Sequence, residues 1–222
     1  MATAAPATKP RDASRSQGAI LDAAERLFAE RGFEATSLED IGAAAGLSRG
    51  TPSYFFGAKE RLYGAVLERI FAERQAATRE AFEAVTGWAQ EGRGSLAAAL
   101  TKAVEGYLAF LLERPEFVRL MQREDLSGGH HLREVTLESQ AMTDAFRAVR
   151  HAGRAHGLRR FDVENAVMLF VSLTFSPLTQ RATFLAALER DLANPTVRRR
   201  HVAFVVDQLR HLVGDASPAR DR

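Results

Sequence analysis

The sequence predicts an all-α chain: an N-terminal three-helix unit of helix-turn-helix type, and behind it a larger C-terminal helical bundle. Three observations predict it. Apolar residues recur at three- and four-residue spacing almost from end to end. No stretch alternates apolar and polar with period two, and no segment repeats. Gly and Pro interrupt the pattern where helices of ordinary length would start or stop.

Each element follows from that pattern. Residues 1–15 are small, polar and Pro-containing, with Lys9, Arg11 and Arg15 opposed only by Asp12, and read as a disordered basic arm. From about 17 to 31, Ile20, Leu21, Ala24, Leu27 and Phe28 share one face, and Gly32 stops the helix. Ser37 is placed to cap a second, short helix, with Glu39 and Asp40 at its positive end and Leu38, Ile41 and Ala45 inward. Gly46 closes it, and Ser48 reads as the cap of a third reaching Phe56. A fourth helix is expected from about Ala58 to Thr86, with Leu62, Val66, Ile70 and Phe71 inward. The small unit is drawn at 16–62 and the larger one at 63–222.

In the larger unit, "EGRGS" at 91–95 reads as a linker. Leu96, Leu100, Val104, Tyr107, Leu108 and Leu111 then keep helical register to Arg114. Pro115 suits the first turn of a helix whose inner face is Phe117, Leu120 and Met121. "SGGHH" is a loop. A helix carrying Val135, Met142, Phe146 and Val149 follows and stops between Gly153 and Gly157. Two last helices are expected at about 162–176 and 196–213, set apart by Pro177 and Pro195.

Composition narrows the chemistry. The chain has 222 residues, 46% hydrophobic, enough for a real core, and no Cys, so thiolate metal sites and disulfides are absent. A formal charge of +2 does not describe a protein coated in basic residues for non-specific nucleic-acid binding, although a few placed contacts still suffice for a reader. The longest apolar run, "NAVMLFVSLTF", is too short for a membrane span, and the N-terminus lacks the apolar core of a secretory signal. The expected location is the cytoplasm. His130 and His131 are adjacent, and His151 and His156 are five apart; neither spacing chelates well on a helix, and no HExxH is present. There is no phosphate loop and no GxSxG elbow, and the carboxylates sit on polar helix faces near Arg. No metal, cofactor or enzymatic activity is expected.

The stretch "LSRGTPSYFF", residues 47–56, carries the functional argument. Two short helices joined by "AGLS" match a helix-turn-helix, whose second helix enters the major groove end-on. In its first turn Gly50 and Thr51 offer backbone N–H groups without helical partners, and Pro52 forfeits at most one bond. At about 100° per residue, Leu47, Pro52 and Phe56 face the packed side, whereas Gly50, Thr51 and Tyr54 face out, flanked by Arg49, Ser53 and Phe55. A guanidinium, hydroxyls and a phenol suit phosphates and base edges, and Phe55 suits a thymine methyl or a sugar. The pattern also fits an ordinary helical hairpin with Tyr54 and Phe55 in its core.

The same region resembles the DNA-binding domain of TetR-type transcriptional regulators. The resemblance spans residues 20–68 and rests on "LFAERGFEATS", "IGAAAGLSRGT" and the "KERL" that opens the fourth helix. Beyond residue 70 only the helical layout matches. The resemblance implies a homodimeric regulator, usually a repressor, that binds palindromic operator DNA until a small-molecule effector in the C-terminal domain releases it. Carried over by position, Ser37 would touch a phosphate, Arg49, Gly50, Thr51, Ser53, Tyr54 and Phe55 would form the reading surface, and Lys59 would hold the DNA backbone. The departure is "TPSYFF", where the common pattern reads Thr-Leu-Tyr-Tyr-His-Phe: Pro52 keeps the packing, but Ser53 and Phe55 lose polar reach. Facing and resemblance agree on Thr51 and Tyr54. The arm either follows the adjacent minor groove or is a plain tail.

The larger unit supplies a dimer and a pocket in this reading. The helix at 162–176 is apolar almost all round, so one side can face its own domain and the other a symmetry mate. Val163, Val167 and Phe170, with Val202, Val205, Val206, Leu209, Leu212 and Val213 of the last helix, are the expected dimer interface. Trp88, Tyr107, Phe110, Met121, Met142, Phe146, Phe170 and Phe175 are large enough to line an effector cavity, and each also reads as ordinary core. Arg123, Glu124, His130 and His131 could orient a polar ligand end or solvate a loop.

Overall fold

The computed structural model describes residues 10–92, 94–133 and 140–214, and among these there are helices and no strand. Among the described residues nine α-helices run in order: α1 (Pro10–Arg31), α2 (Leu38–Ala44), α3 (Thr51–Phe56), α4 (Lys59–Glu91), α5 (Leu96–Glu113), α6 (Pro115–Leu126), α7 (Gln140–Ala152), α8 (Val163–Thr179) and α9 (Pro195–Val213). Residues 10–15 are helical, so the first helix begins earlier than the arm expected there; Lys9 lies outside the described residues, as does Val135. Start signals behave as their chemistry dictates. Ser95, Asp162 and Asn194 accept from backbone N–H groups of α5, α8 and α9, and Pro115 and Pro195 open their helices.

The chain separates into two compact units. One gathers the described residues up to Ile70 together with the stretch from Arg119, and the other holds the remainder from Phe71. Residues 119–133 carry no sequence signal for that membership, because their apolar spacing is that of any core helix. In the first unit α1, α2 and α3 pack mutually. Their core contains Ile20, Phe28, Ile41, Leu62, Tyr63 and Leu67, all at 1% exposure or less. Phe28 meets Tyr63 edge-on at 4.8 Å.

In the second unit α5 packs on α8 and α9, α7 on α8, and α8 on α9. Val104, Leu108, Phe170, Val205 and Leu209 are fully buried there. Gly106 allows α5 to approach α4 closely, since a Cβ would stand 2.8 Å from the Cβ of Ala81.

Pro177 does not end its helix as expected; α8 continues through it to Thr179. A prolyl nitrogen has no hydrogen, so the carbonyl four residues back, that of Leu173, loses its helical donor. His201 of α9 replaces it, its Nε2–H donating to that carbonyl at 2.8 Å. A short π-helical turn, Arg181–Leu185, follows. Sequence periodicity has no signature for it.

Candidate functional site

The turn between α2 and α3 is built by two glycines. Gly46 takes φ +69°, which leaves α2 in the left-handed region. Gly42 lets the next helix come close, because a Cβ there would lie 2.9 Å from the Ser48 carbonyl and 3.2 Å from Pro52. Ser37 caps α2 in a reciprocal box: its Oγ accepts from the Asp40 N–H at 3.0 Å and donates to the Asp40 carboxylate at 2.7 Å. That hydroxyl, followed by the Ser37 N–H, holds the Asp40 carboxyl below the usual carboxylate range.

Helix α3 starts later than expected, with Gly50 rather than Ser48 at its N-cap. Ser48 instead pairs its hydroxyl with that of Thr51 at 2.7 Å. Pro52 is buried, and Leu47 and Phe56 are half-buried. On the opposite side Tyr54 is 79% exposed and the largest apolar group of the turn left to solvent. Phe55 is half-buried and leans edge-on against the Tyr54 ring at 5.2 Å. Arg49, Gly50 and Ser53 are exposed, with the Ser53 hydroxyl donating to the Gly57 carbonyl at 3.3 Å. Gly50 has φ −85° and open space where a Cβ would go, so the fold itself does not require glycine there. Lys59 is partly engaged within the chain: Nζ donates to the Phe33 carbonyl at 2.9 Å and stands 4.2 Å over the Phe33 ring.

Sequence reasoning missed how the residues after Arg119 brace this unit. Arg123 donates Nε to the Ala29 carbonyl at 3.0 Å and caps the end of α1 through Glu30 as well. Glu124, 1% exposed, accepts from the Tyr63 hydroxyl at 2.8 Å and shares the same oxygen with His131 Nδ1 at 3.0 Å. Burial first, and then this carboxylate, push the Tyr63 hydroxyl far above its ordinary range. The Tyr63 and Phe33 rings enclose His131 at 4.7 and 4.5 Å. A Glu-Tyr-His set scattered over three elements has no linear motif, so only the fold reveals it.

In the second unit several of the expected pocket aromatics converge. Tyr107 and Phe146 approach Phe170 at 5.3 and 6.1 Å, with Phe82 at 5.5 Å. Phe110 and Phe175 instead surround Phe117, at 5.2 and 6.3 Å. Trp88 packs on His156 at 4.8 Å, and Met121 belongs to the first unit, as do Arg123, Glu124, His130 and His131. Met142 borders a narrow gap with Arg74, Gln75, Thr78 and Tyr107. Among the residues expected at a dimer interface, Val163, Phe170, Val202, Val205, Val206, Leu209 and Val213 are buried within a single chain, and Val167 and Leu212 are half-buried. The apolar stripe of α9 thus faces the chain's own core. What remains outside on α8 and α9 is Met168, 65% exposed, and Phe204, 50% exposed. No group of described His, Asp or Glu residues is arranged to hold a metal.

Two family models match this chain. One, described as bacterial regulatory proteins of the tetR family, covers residues 20–66, and the other, the tetracyclin repressor-like C-terminal domain, covers residues 97–209. The chain belongs to the TetR family. It is 28% identical over 213 residues to the HTH-type transcriptional repressor NicS of Pseudomonas putida, spanning 93% of this chain and 96% of that one. To the HTH-type transcriptional activator FasR of Mycolicibacterium smegmatis it is 30% identical over 137 residues, 61% of this chain and 58% of the other. The crystal structure of a TetR family transcription regulator from Marinobacter aquaeolei superimposes with a TM-score of 0.65 at 21% identity, covering 92% of this chain and 98% of that one. The TetR fold, all-α with an N-terminal helix-turn-helix and a C-terminal helical domain, is therefore the fold of this protein, and it is a transcriptional regulator with a DNA-binding motif. No helix among the described residues is long and apolar enough to cross a membrane.

Proposed function

We propose that this TetR-family protein acts as a homodimeric repressor that sits on a palindromic operator and leaves it when a small molecule enters the second unit. The observation that carries the reading is the face of α3. Arg49, Gly50 and Ser53 are exposed and Thr51 half-buried in the same turn as Tyr54, which the fold leaves 79% exposed on a helix of 6 residues. An amphipathic aromatic on a short helix, beside hydroxyls and a guanidinium, suits phosphate and base-edge contact in a major groove. Ser37 sits at the N-terminus of α2, where the helix dipole favours a phosphate, while its own N–H and hydroxyl are held by Asp40. Lys59 keeps two of its three ammonium donors for the DNA backbone.

Dimerisation is assigned to the outward faces of α8 and α9. Met168 and Phe204 are large apolar groups that one chain leaves in water, and a two-fold partner would cover both. The near-full-length match to a repressor supports the negative sign. Release by an effector is read as a change in the spacing of the two α3 helices within the dimer.

Operator duplexes selected from random DNA, followed by band shifts, test this reading. Tyr54→Ala and Arg49→Ala are expected to weaken binding at least tenfold while circular dichroism and dimer mass stay unchanged. Equal binding by variants and parent would remove α3 as the reading surface.

A further inference from the structure

Three buried or half-buried arginines of the described residues have ordinary partners. Arg69 bridges Asp22 and Glu25 at 2.7 and 2.6 Å, Arg114 pairs with Glu73, and Arg123 caps α1. Arg74 does not follow them. Its guanidinium lies 4.8 Å over the Phe71 ring and 5.9 Å from Phe117, and its polar neighbour is the Tyr107 hydroxyl, itself on a residue only 3% exposed. No carboxylate among the described residues forms an ion pair with it. Desolvation accordingly depresses the Arg74 pKa, with Tyr107 opposing, yet a guanidinium stays charged throughout the working range. A cation set among aromatic rings with no carboxylate of the described residues beside it is costly for a fold, and a bidentate fork of this kind matches a carboxylate in shape and charge.

From these contacts we infer that the effector of this regulator is an organic acid, with its carboxylate held by Arg74 and Tyr107 and its apolar body lodged toward Phe82, Met142 and Phe170. The inference rests on the effector-release reading above and names the chemical class that fits it. The gap between Arg74, Tyr107 and Met142 is about 10 Å³, room for about one water, so an entering acid displaces side chains. Met142 is the adaptable one, being unbranched. Beyond it Phe82 and Tyr107 lead to Phe170 at 5.5 and 5.3 Å, an apolar wall for an aromatic or short aliphatic body. Phe71 and Phe117 hold the guanidinium by cation–π contact, which fixes the fork without neutralising it.

The full-length protein, titrated with benzoate, phenylacetate, hexanoate and octanoate beside their primary amides, tests the inference by thermal shift and calorimetry. At least one acid is expected to raise the Tm by about 5 °C or more at hundredfold excess over its Kd, and its amide to do far less. Arg74→Met is expected to lose at least tenfold in affinity for that acid, and Tyr107→Phe a smaller factor. Should Arg74→Met fail to fold, Arg74→Lys keeps the charge without the fork and is expected to bind the acid severalfold more weakly. Acids that stabilise no better than their amides, or an Arg74 variant that binds them like the parent, overturn the assignment. Operator binding by the unliganded parent and Arg74→Met, measured in parallel, separates the two readings. If both bind the operator and only the acid preference fails, the regulator reading stands without this effector class. If neither binds it, the proposed operator-release reading falls whatever the acids do.

Discussion

Tyr63, Glu124 and His131 show how a few polar atoms brace the DNA-binding unit from within. Glu124→Ala would strand the Tyr63 hydroxyl, 1% exposed, without its acceptor. A buried donor left unmade costs about 1–3 kcal/mol, so the unfolding midpoint in urea should fall accordingly. Ser37→Ala removes the cap of α2 and should cost about 1 kcal/mol, a loss also measurable in urea. Its pH signature is on the acid side. The Asp40 carboxyl lies lower in the folded chain than its ordinary value, so its contribution is full above that value and disappears as pH falls through the folded one. Ser37→Ala should therefore flatten the acid limb of a stability–pH curve and leave neutral pH to basic pH with a constant offset. Gly50 and Gly42 offer a contrast at the same scale. Gly50→Ala meets open space at negative φ, so stability should stay within about 0.5 kcal/mol while operator affinity drops. Gly42→Ala drives a methyl into the Ser48 carbonyl and should cost about 1–3 kcal/mol.

At the scale of elements, α1 and α4 are tied by Arg69, and the two ends of that tie differ. Glu25 is 7% exposed on its side chain and Asp22 is 76% exposed. Arg69→Met should lower stability by about 1–3 kcal/mol, mainly by leaving Glu25 under-compensated, whereas Asp22→Asn should change it by less than about 0.5. Chemical denaturation of the three proteins side by side decides between them. The joint between α8 and α9 depends on a different device. Pro177 deprives the Leu173 carbonyl of its donor, and His201 supplies one. His201→Ala should cost about 1 kcal/mol, and Pro177→Ala in that background should recover part of it, because an alanine N–H can close the helical bond again.

For the molecule as a whole the question is which apolar surface the chain covers itself and which it leaves for the proposed two-fold partner. Val205 and Leu209 are wholly buried in one chain, whereas Met168 and Phe204 are not. Val205→Glu should therefore unfold the second unit. Met168→Glu with Phe204→Glu should leave helical content intact and shift the protein from dimer to monomer in light scattering, with loss of operator binding. A double variant that remains dimeric would place the two-fold contact elsewhere.

The helices, the Ser37 cap of α2 and the exposure of Tyr54 were legible in the residues, because period, capping chemistry and turn glycines act over a few positions, whereas Ser48 does not cap α3 and Thr51, expected to face out, is half-buried against it. Helix ends were less so: α1 extends back to Pro10, and α8 runs through Pro177, since neighbouring elements decide whether a terminal turn or a missing donor is tolerated. Lys59 is a similar case, for nothing in "KERL" signals its bond to the Phe33 carbonyl. By itself the sequence determined an all-helical chain with an N-terminal helix-turn-helix, because those features are written in local spacing. Only the tertiary structure decided that the α9 stripe turns inward, that Glu124 braces Tyr63, and that Arg74 stands over the Phe71 ring beside Tyr107. Such facts depend on which faces of distant helices meet, and periodicity shows that a face is apolar without showing what covers it.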